Sequence, residues 1–258
     1  MGQSYKRFRF RWEGGSGCAA GRGLAAGSVD ASAIALLETH GRQTVWRRTD
    51  AIQRLRAVWT QVDPDAEAAV GHLNRQRALA RLKRIDLGAG LAERAAARCI
   101  RELAEEIERL EARVRGLDQE LARLVAEHGN PLEGLCGAGP QTVVTLIAQS
   151  GDVRRFRSPA AYARYSGAAP IPSGSGQTAT RHRLHRGGNR QVNSALHRIA
   201  VTQARWDPDG QAFLARKLAE GKTSREARRA LKRHLAPNVV YRPLLAWAEV
   251  ALDHTDLT

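Results

Sequence analysis

The residues best placed to do chemistry lie between Pro170 and Gln191, in PIPSGSGQTATRHRLHRGGNRQ. Here Arg181, Arg183, Arg186 and Arg190 follow a Ser/Gly-rich stretch, with His182 and His185 between them. No Asp or Glu occurs from Val153 to Trp206, so local acids cannot neutralise these guanidiniums. They require open water or a polyanion, and the planar guanidinium fork matches phosphate oxygens two at a time. Gly187-Gly188-Asn189 then leads into an apolar-periodic helix carrying Val192, Leu196 and Ile199. His182 and His185 have no carboxylate or thiol companion nearby, which argues against a metal site there.

Two further segments carry the same kind of chemistry. In LEGLCGAGPQTVVTLI, Leu132 and Leu135 precede Gly137-Ala138-Gly139, and Val143, Leu146 and Ile147 follow on the next helix. This is a helix-hairpin-helix-like pattern. Gly137 and Gly139 would allow a tight turn and close approach of a phosphate, and the free N–H groups of the next helix would face the anion. A plain helical hairpin with a glycine turn fits the same residues. Nearer the C-terminus, Arg225, Arg228, Arg229, Lys232 and Arg233 form a cationic helix face, with Ala227, Ala230 and Leu231 inward. Such a face is either simply solvated or a second set of backbone contacts.

The elements that must position these groups read as helices. Ile52, Leu55, Val58, Trp59 and Val62 recur at helical spacing and predict a helix that starts near Asp30 and ends near Val62, before Asp63-Pro64. Leu73, Leu79, Leu82 and Ile85 predict a second helical stretch. From Ile100 to Leu124, apolar residues alternate at steps of three and four, an unbroken heptad seam. The seam fits a two-stranded coiled coil, as homodimer or mixed dimer, or equally a hairpin folded back on the helix ending at Val62. Gly129-Asn130-Pro131 ends it. Ser158-Pro159 reads as a cap with proline at the first helical position, and Thr223 to Glu226 as a capping box opening a helix that closes at Ala236-Pro237. Leu244, Leu245, Ala248 and Leu252 suit a last helix over the core. The expected class is all-α, with long coiled-coil-like helices followed by a compact helical domain. The expected divisions are an irregular segment 1–44, a central helical region 45–130 and a nucleic-acid-binding domain 131–258.

Bulk composition agrees. The 258 residues include 41 Lys/Arg against 26 Asp/Glu, a formal charge of +15. Between Gly134 and Leu235 stand 18 basic residues and five acids, so nearly all the excess sits in that stretch. A polyanion is the expected partner. Cys18, Cys99 and Cys136 form neither a disulfide framework nor a zinc pattern, and no apolar run reaches the length that spans a bilayer. A cytoplasmic, nucleoid-associated protein is expected.

Taken in order, LCGAGPQT, GDVRRF, YSGAAP, SGQT, RHRLHRGGNRQ and ALKR resemble the transposases of the insertion-sequence-110 (116/902) family. With the weaker match at RRTDAIQRLRAVW, the resemblance covers roughly residues 45–245. It implies a DNA recombinase with a metal-binding acidic domain, a coiled-coil region and a C-terminal domain with a nucleophilic serine. DNA is the implied partner, with a structured guide RNA made by the element. Ser175 matches the family's serine, with Ser173 as the alternative. Mg2+ is implied for the family's acidic domain. That domain should precede the central helices by well over a hundred residues, whereas about 44 precede them here. The expectation is therefore a truncated transposase without its metal site. The alternative expectation is a catalytically inactive nucleic-acid-binding remnant, or an inhibitor of the full-length enzyme.

Overall fold

The computed structural model describes residues 31–62, 76–127, 129–172, 182–185 and 187–253. In chain order these form α1 (Ala31–Val62), α2 (Gln76–Leu82), α3 (Leu91–Glu127), α4 (Pro140–Ser150), a 3-10 turn (Val153–Arg155) and α5 (Pro159–Tyr165). Two short strands follow, β1 (Pro170–Pro172) and β2 (His182–Leu184). After them come α6 (Arg190–Trp206), α7 (Pro208–Ala219), α8 (Ser224–Leu235), a π-helical turn (Ala236–Tyr241) and α9 (Arg242–Asp253). The class is all-α. The strands pair antiparallel, Ile171 opposite Arg183.

The heptad seam is used inside the chain. α3 lies along α1, with Ile100, Ala104 and Ile107 buried against Ala51 and Leu55, and Leu79 and Leu82 of α2 closing that cluster. Of the two open readings of the seam, the structure takes the intramolecular hairpin. Leu121 of the same seam, with Val125 just beyond it, joins Ile34 in a second cluster shared with α4, α6 and α8. The two helices thereby continue into the core of the basic domain. Ion pairs lace the hairpin, including Lys83 to Glu108 at 2.6 Å and Arg98 to Glu102 at 2.8 Å.

Two expectations need correction. Residues 31–44 are helical, not irregular, because Ile34, Glu38 and Thr44 fall on one buried side of α1. The chain before Gly137 forms turns at Pro131–Gly134 rather than a helix, so no helix-hairpin-helix is completed there. α8 closes at Leu235 before Ala236-Pro237, as expected, but the chain stays helical beyond it. The backbone widens into the π turn, which accommodates a residue without an N–H, and Asn238 Nδ2 donates to the His234 carbonyl at 3.1 Å. The other local signals stand: α1 ends at Val62, Ser158 caps α5, and Thr223 with Glu226 forms the capping box of α8.

Candidate nucleic-acid interface

The N-terminus of α6 is fixed before any ligand arrives. Asn189 Oδ1 accepts from the N–H groups of Gln191 and Val192 at 2.9 and 3.0 Å, which stops the helix there. Its Nδ2 donates to the Tyr165 hydroxyl at 2.9 Å and to Gln149 Oε1 at 3.3 Å. Gln149 in turn donates to Glu38 of α1 at 3.1 Å, so one chain of hydrogen bonds runs from the hairpin to the start of α6. Backbone packing tightens the same point. A Cβ on Gly188 would stand 2.4 Å from Gly167 Cα, so the two loops cross there only as glycines. His185 Nδ1 lies 2.9 Å from the Arg164 carbonyl.

From that anchor a row of polar and basic groups follows α6 where α8 packs on it. Asn193 Nδ2 donates to the Ser166 carbonyl at 2.8 Å, and Asn193 Oδ1 accepts from Lys232 Nζ at 2.6 Å. One side chain thus ties the cationic face of α8 to the loop beneath α6. Burial, then the neighbouring Arg229, lowers the Lys232 ammonium below the usual lysine value. One turn along, burial and the charges of Lys232 and Arg228 hold His197 below the ordinary histidine value. Those electrostatic couplings put His197, Arg228, Arg229 and Lys232 in one cationic field.

Acids are scarce around it. Arg190, Arg198, Arg225, Arg229 and Arg233 are exposed, and no described Asp or Glu lies within ion-pair distance of them. The nearby acids are committed elsewhere. Glu226 closes the capping box, Asp207 caps α7, and Glu220 pairs with Lys217 and Lys222. On α1 and α3, by contrast, six of the twelve arginines lie within ion-pair distance of a carboxylate: Arg42, Arg48, Arg54, Arg98, Arg115 and Arg123.

The positions expected from sequence are distributed as follows. Arg190, Lys232 and Arg233 lie on or beside the α6–α8 face, Arg190 as the first residue of α6. Arg183 lies on β2, whereas Arg181, Arg186, Ser173 and Ser175 fall outside the described residues. The polar atoms of Asn189 are all engaged within the fold, which makes it a positioning residue for the loop before α6. Gly137 has φ 88°, and a Cβ there would meet Ile199 Cα and Thr202 Cβ at 2.9 Å. The close approach it permits is to α6, not to a phosphate. Gly139 has open space around it and caps α4, but Gln141 in that first turn already donates to the carboxylate of Asp118. The groups sequence reasoning missed are Asn193, His197, Gln149 and Tyr165. Asn193 and His197 sit four residues apart, as do Arg228 and Lys232, a spacing that could have marked two facing helix rows.

Among the described residues no group of three or more His, Cys, Asp or Glu side chains could hold a metal ion, so the family's Mg2+ has no matching donor set there. No helix of the described residues is long and apolar enough to cross a membrane.

Comparison with known proteins covers the α6 side of this face, whereas α8 lies beyond the matched residues. Residues 129–215 match the family described as Transposase IS116/IS110/IS902. The chain is similar to the insertion element IS110 uncharacterized 43.6 kDa protein of Streptomyces coelicolor, at 30% identity over 127 residues. The alignment takes in 48% of this chain and 31% of that protein, so the chain matches under a third of its relative's length.

Proposed function

Because residues 129–215 match the Transposase IS116/IS110/IS902 family, we propose that this chain is a transposase and grips the DNA of its insertion element with the α6–α8 face and the arginine stretch 181–190. The observation that carries this reading is the Lys232–Asn193 hydrogen bond. It locks a cationic helix face, without partner acids, beside the helix that the arginine stretch enters. The exposed guanidiniums of Arg190, Arg225, Arg229 and Arg233 would contact phosphate oxygens, fixing register without reading sequence. Asn189, Gln149 and Tyr165 hold the α6 start in place, so the cations are preorganised rather than recruited.

Within this reading Ser175 is the nucleophile, as the family resemblance implies, with Ser173 the neighbouring choice. The serine oxygen would bond to a phosphodiester phosphorus while the bond to the leaving deoxyribose oxygen breaks. The serine proton passes to solvent base, and the departing oxygen takes one up.

Fluorescence anisotropy on a labelled duplex from the element's end tests the binding claim. Replacing Arg225, Arg229 and Arg233 together with Ala should weaken affinity by about tenfold or more, since a phosphate that meets no guanidinium keeps its counterions. Unchanged affinity in the triple variant would overturn this reading. Trapping of a covalent protein–DNA adduct that survives Ser173→Ala but disappears with Ser175→Ala tests the nucleophile.

A further inference from the structure

The cationic row on α6 does not end at His197. Asn193, His197 and Val201 follow at steps of four, with Ala204 three residues further on, so all four share one side of the helix. Beyond Val201 the row runs into a notch between α6, α7 and α8, with a volume of about 190 Å³. Val201, Ala204, Leu214 and Leu218 line it with apolar surface, and Arg205 and Arg228 line it beside them. Arg228 belongs to both features: it lines the notch and its charge acts on His197. Its Nε donates to the Ser224 carbonyl at 3.2 Å, which orients the guanidinium.

Size and charge narrow the occupant. The volume is well below the roughly 300–1,000 Å³ that encloses a drug-sized ligand, so it suits one ring-sized group. An apolar lining that also includes two guanidiniums matches a planar ring that carries a phosphate. The guanidinium planes can stack on such a ring while their charges serve the backbone. From Arg190 to Arg205 the row is about 22 Å long, at 1.5 Å rise per residue. A DNA backbone laid along it would reach the notch after about six base steps at 3.4 Å.

We propose that the notch receives one unpaired nucleobase at the far end of the α6–α8 interface, giving the protein a preference for DNA with a base out of the stack. This rests on the DNA-binding reading of that interface. A base paired within a duplex cannot enter, so the preference should depend on the base and not on the bend it leaves behind.

The experiment compares three duplexes with the full chain: fully paired, with a single unpaired 2-aminopurine, and with an unpaired abasic nucleotide at the same position. The base-bearing duplex should bind about tenfold tighter than the abasic one, the scale of one stacked base, with a change in 2-aminopurine fluorescence. Ala204→Leu, which fills the notch, should bring the two affinities together and leave the fully paired duplex unaffected. Leu218→Asn, at an exposed wall position, should act in the same direction if the first variant disturbs packing. Equal wild-type affinities for the two bulged duplexes, with paired DNA still bound, would overturn the notch assignment and leave the interface standing. Loss of all binding would overturn the interface reading as well. Binding of an acidic leucine-bearing peptide that Ala204→Leu abolishes, with no base preference, would assign the notch to a protein partner and overturn the proposal.

Discussion

Gly137 illustrates how one residue type can serve a purpose other than the one its motif suggests. The glycine pair reads as a phosphate turn, yet the missing Cβ makes room for α6 at Ile199 and Thr202. Gly137→Ala therefore combines a left-handed backbone with a clash against main chain. It should cost at least about 2 kcal/mol in urea denaturation, with affinity for DNA per folded molecule unchanged. Asn189 makes the converse point. Asn189→Ala removes the cap and should cost about 1 kcal/mol, whereas Asn189→Asp keeps the accepting oxygen and should cost less. The prediction fails if the two variants unfold at the same urea concentration. His197 adds a pH signature. Its folded value is depressed, first by burial and then by Lys232 and Arg228. Its stability contribution is thus present above about pH 6.5 and lost as pH falls through the folded value. A bound phosphate opposes that depression, so DNA binding should take up a proton. Affinity should rise from pH 7.5 to 5.5 and rise less in His197→Gln; His234, also depressed, by burial and Arg216, is the control substitution. The sequence displayed the cations of this site but not their cross-helix partners, because Asn193 and Lys232 meet only through packing of α6 on α8.

At the level of elements, what the sequence revealed depended on whether the signal was local. The caps at Ser158 and Thr223 use side chains within three residues of the groups they bond, and both form as read. The heptad seam fixed which face of α3 is buried but not against what, since a period carries no information about the partner. α1 fills that role, and Ile107 lies fully buried between them. Ile107→Ala should cost about 2–5 kcal/mol through the cavity it leaves. Because the contact is within one chain, the unfolding midpoint of both proteins should stay constant over about a hundredfold range of protein concentration. A midpoint that climbs with concentration would mean the seam joins separate chains. The π turn after α8 was illegible for a related reason. Proline ends most helices, and its tolerance here depends on Ala236, Val240 and Tyr241 being held in the core.

Across the whole molecule, charge is divided between two kinds of surface. The α1–α3 hairpin sets twelve arginines among eleven acids and pairs half of them, while the segment from Gly134 to Leu235 holds 18 basic residues and only five acids. The first arrangement is internally neutral and should respond little to salt. The second is a field awaiting counterions, which DNA can displace. Affinity for duplex should therefore fall linearly on a logarithmic salt scale, with a slope set by the number of phosphates engaged. Arg229→Ala and Arg233→Ala should each make that slope shallower by about one and weaken binding to unrelated sequences equally, as backbone contacts do. Arg54→Ala, which breaks the Arg54–Asp50 pair on α1, should leave the slope as it was, since that guanidinium already has its carboxylate. If the hairpin substitution changes the slope as much as the α8 substitutions do, DNA lies along the hairpin and not across α6 and α8.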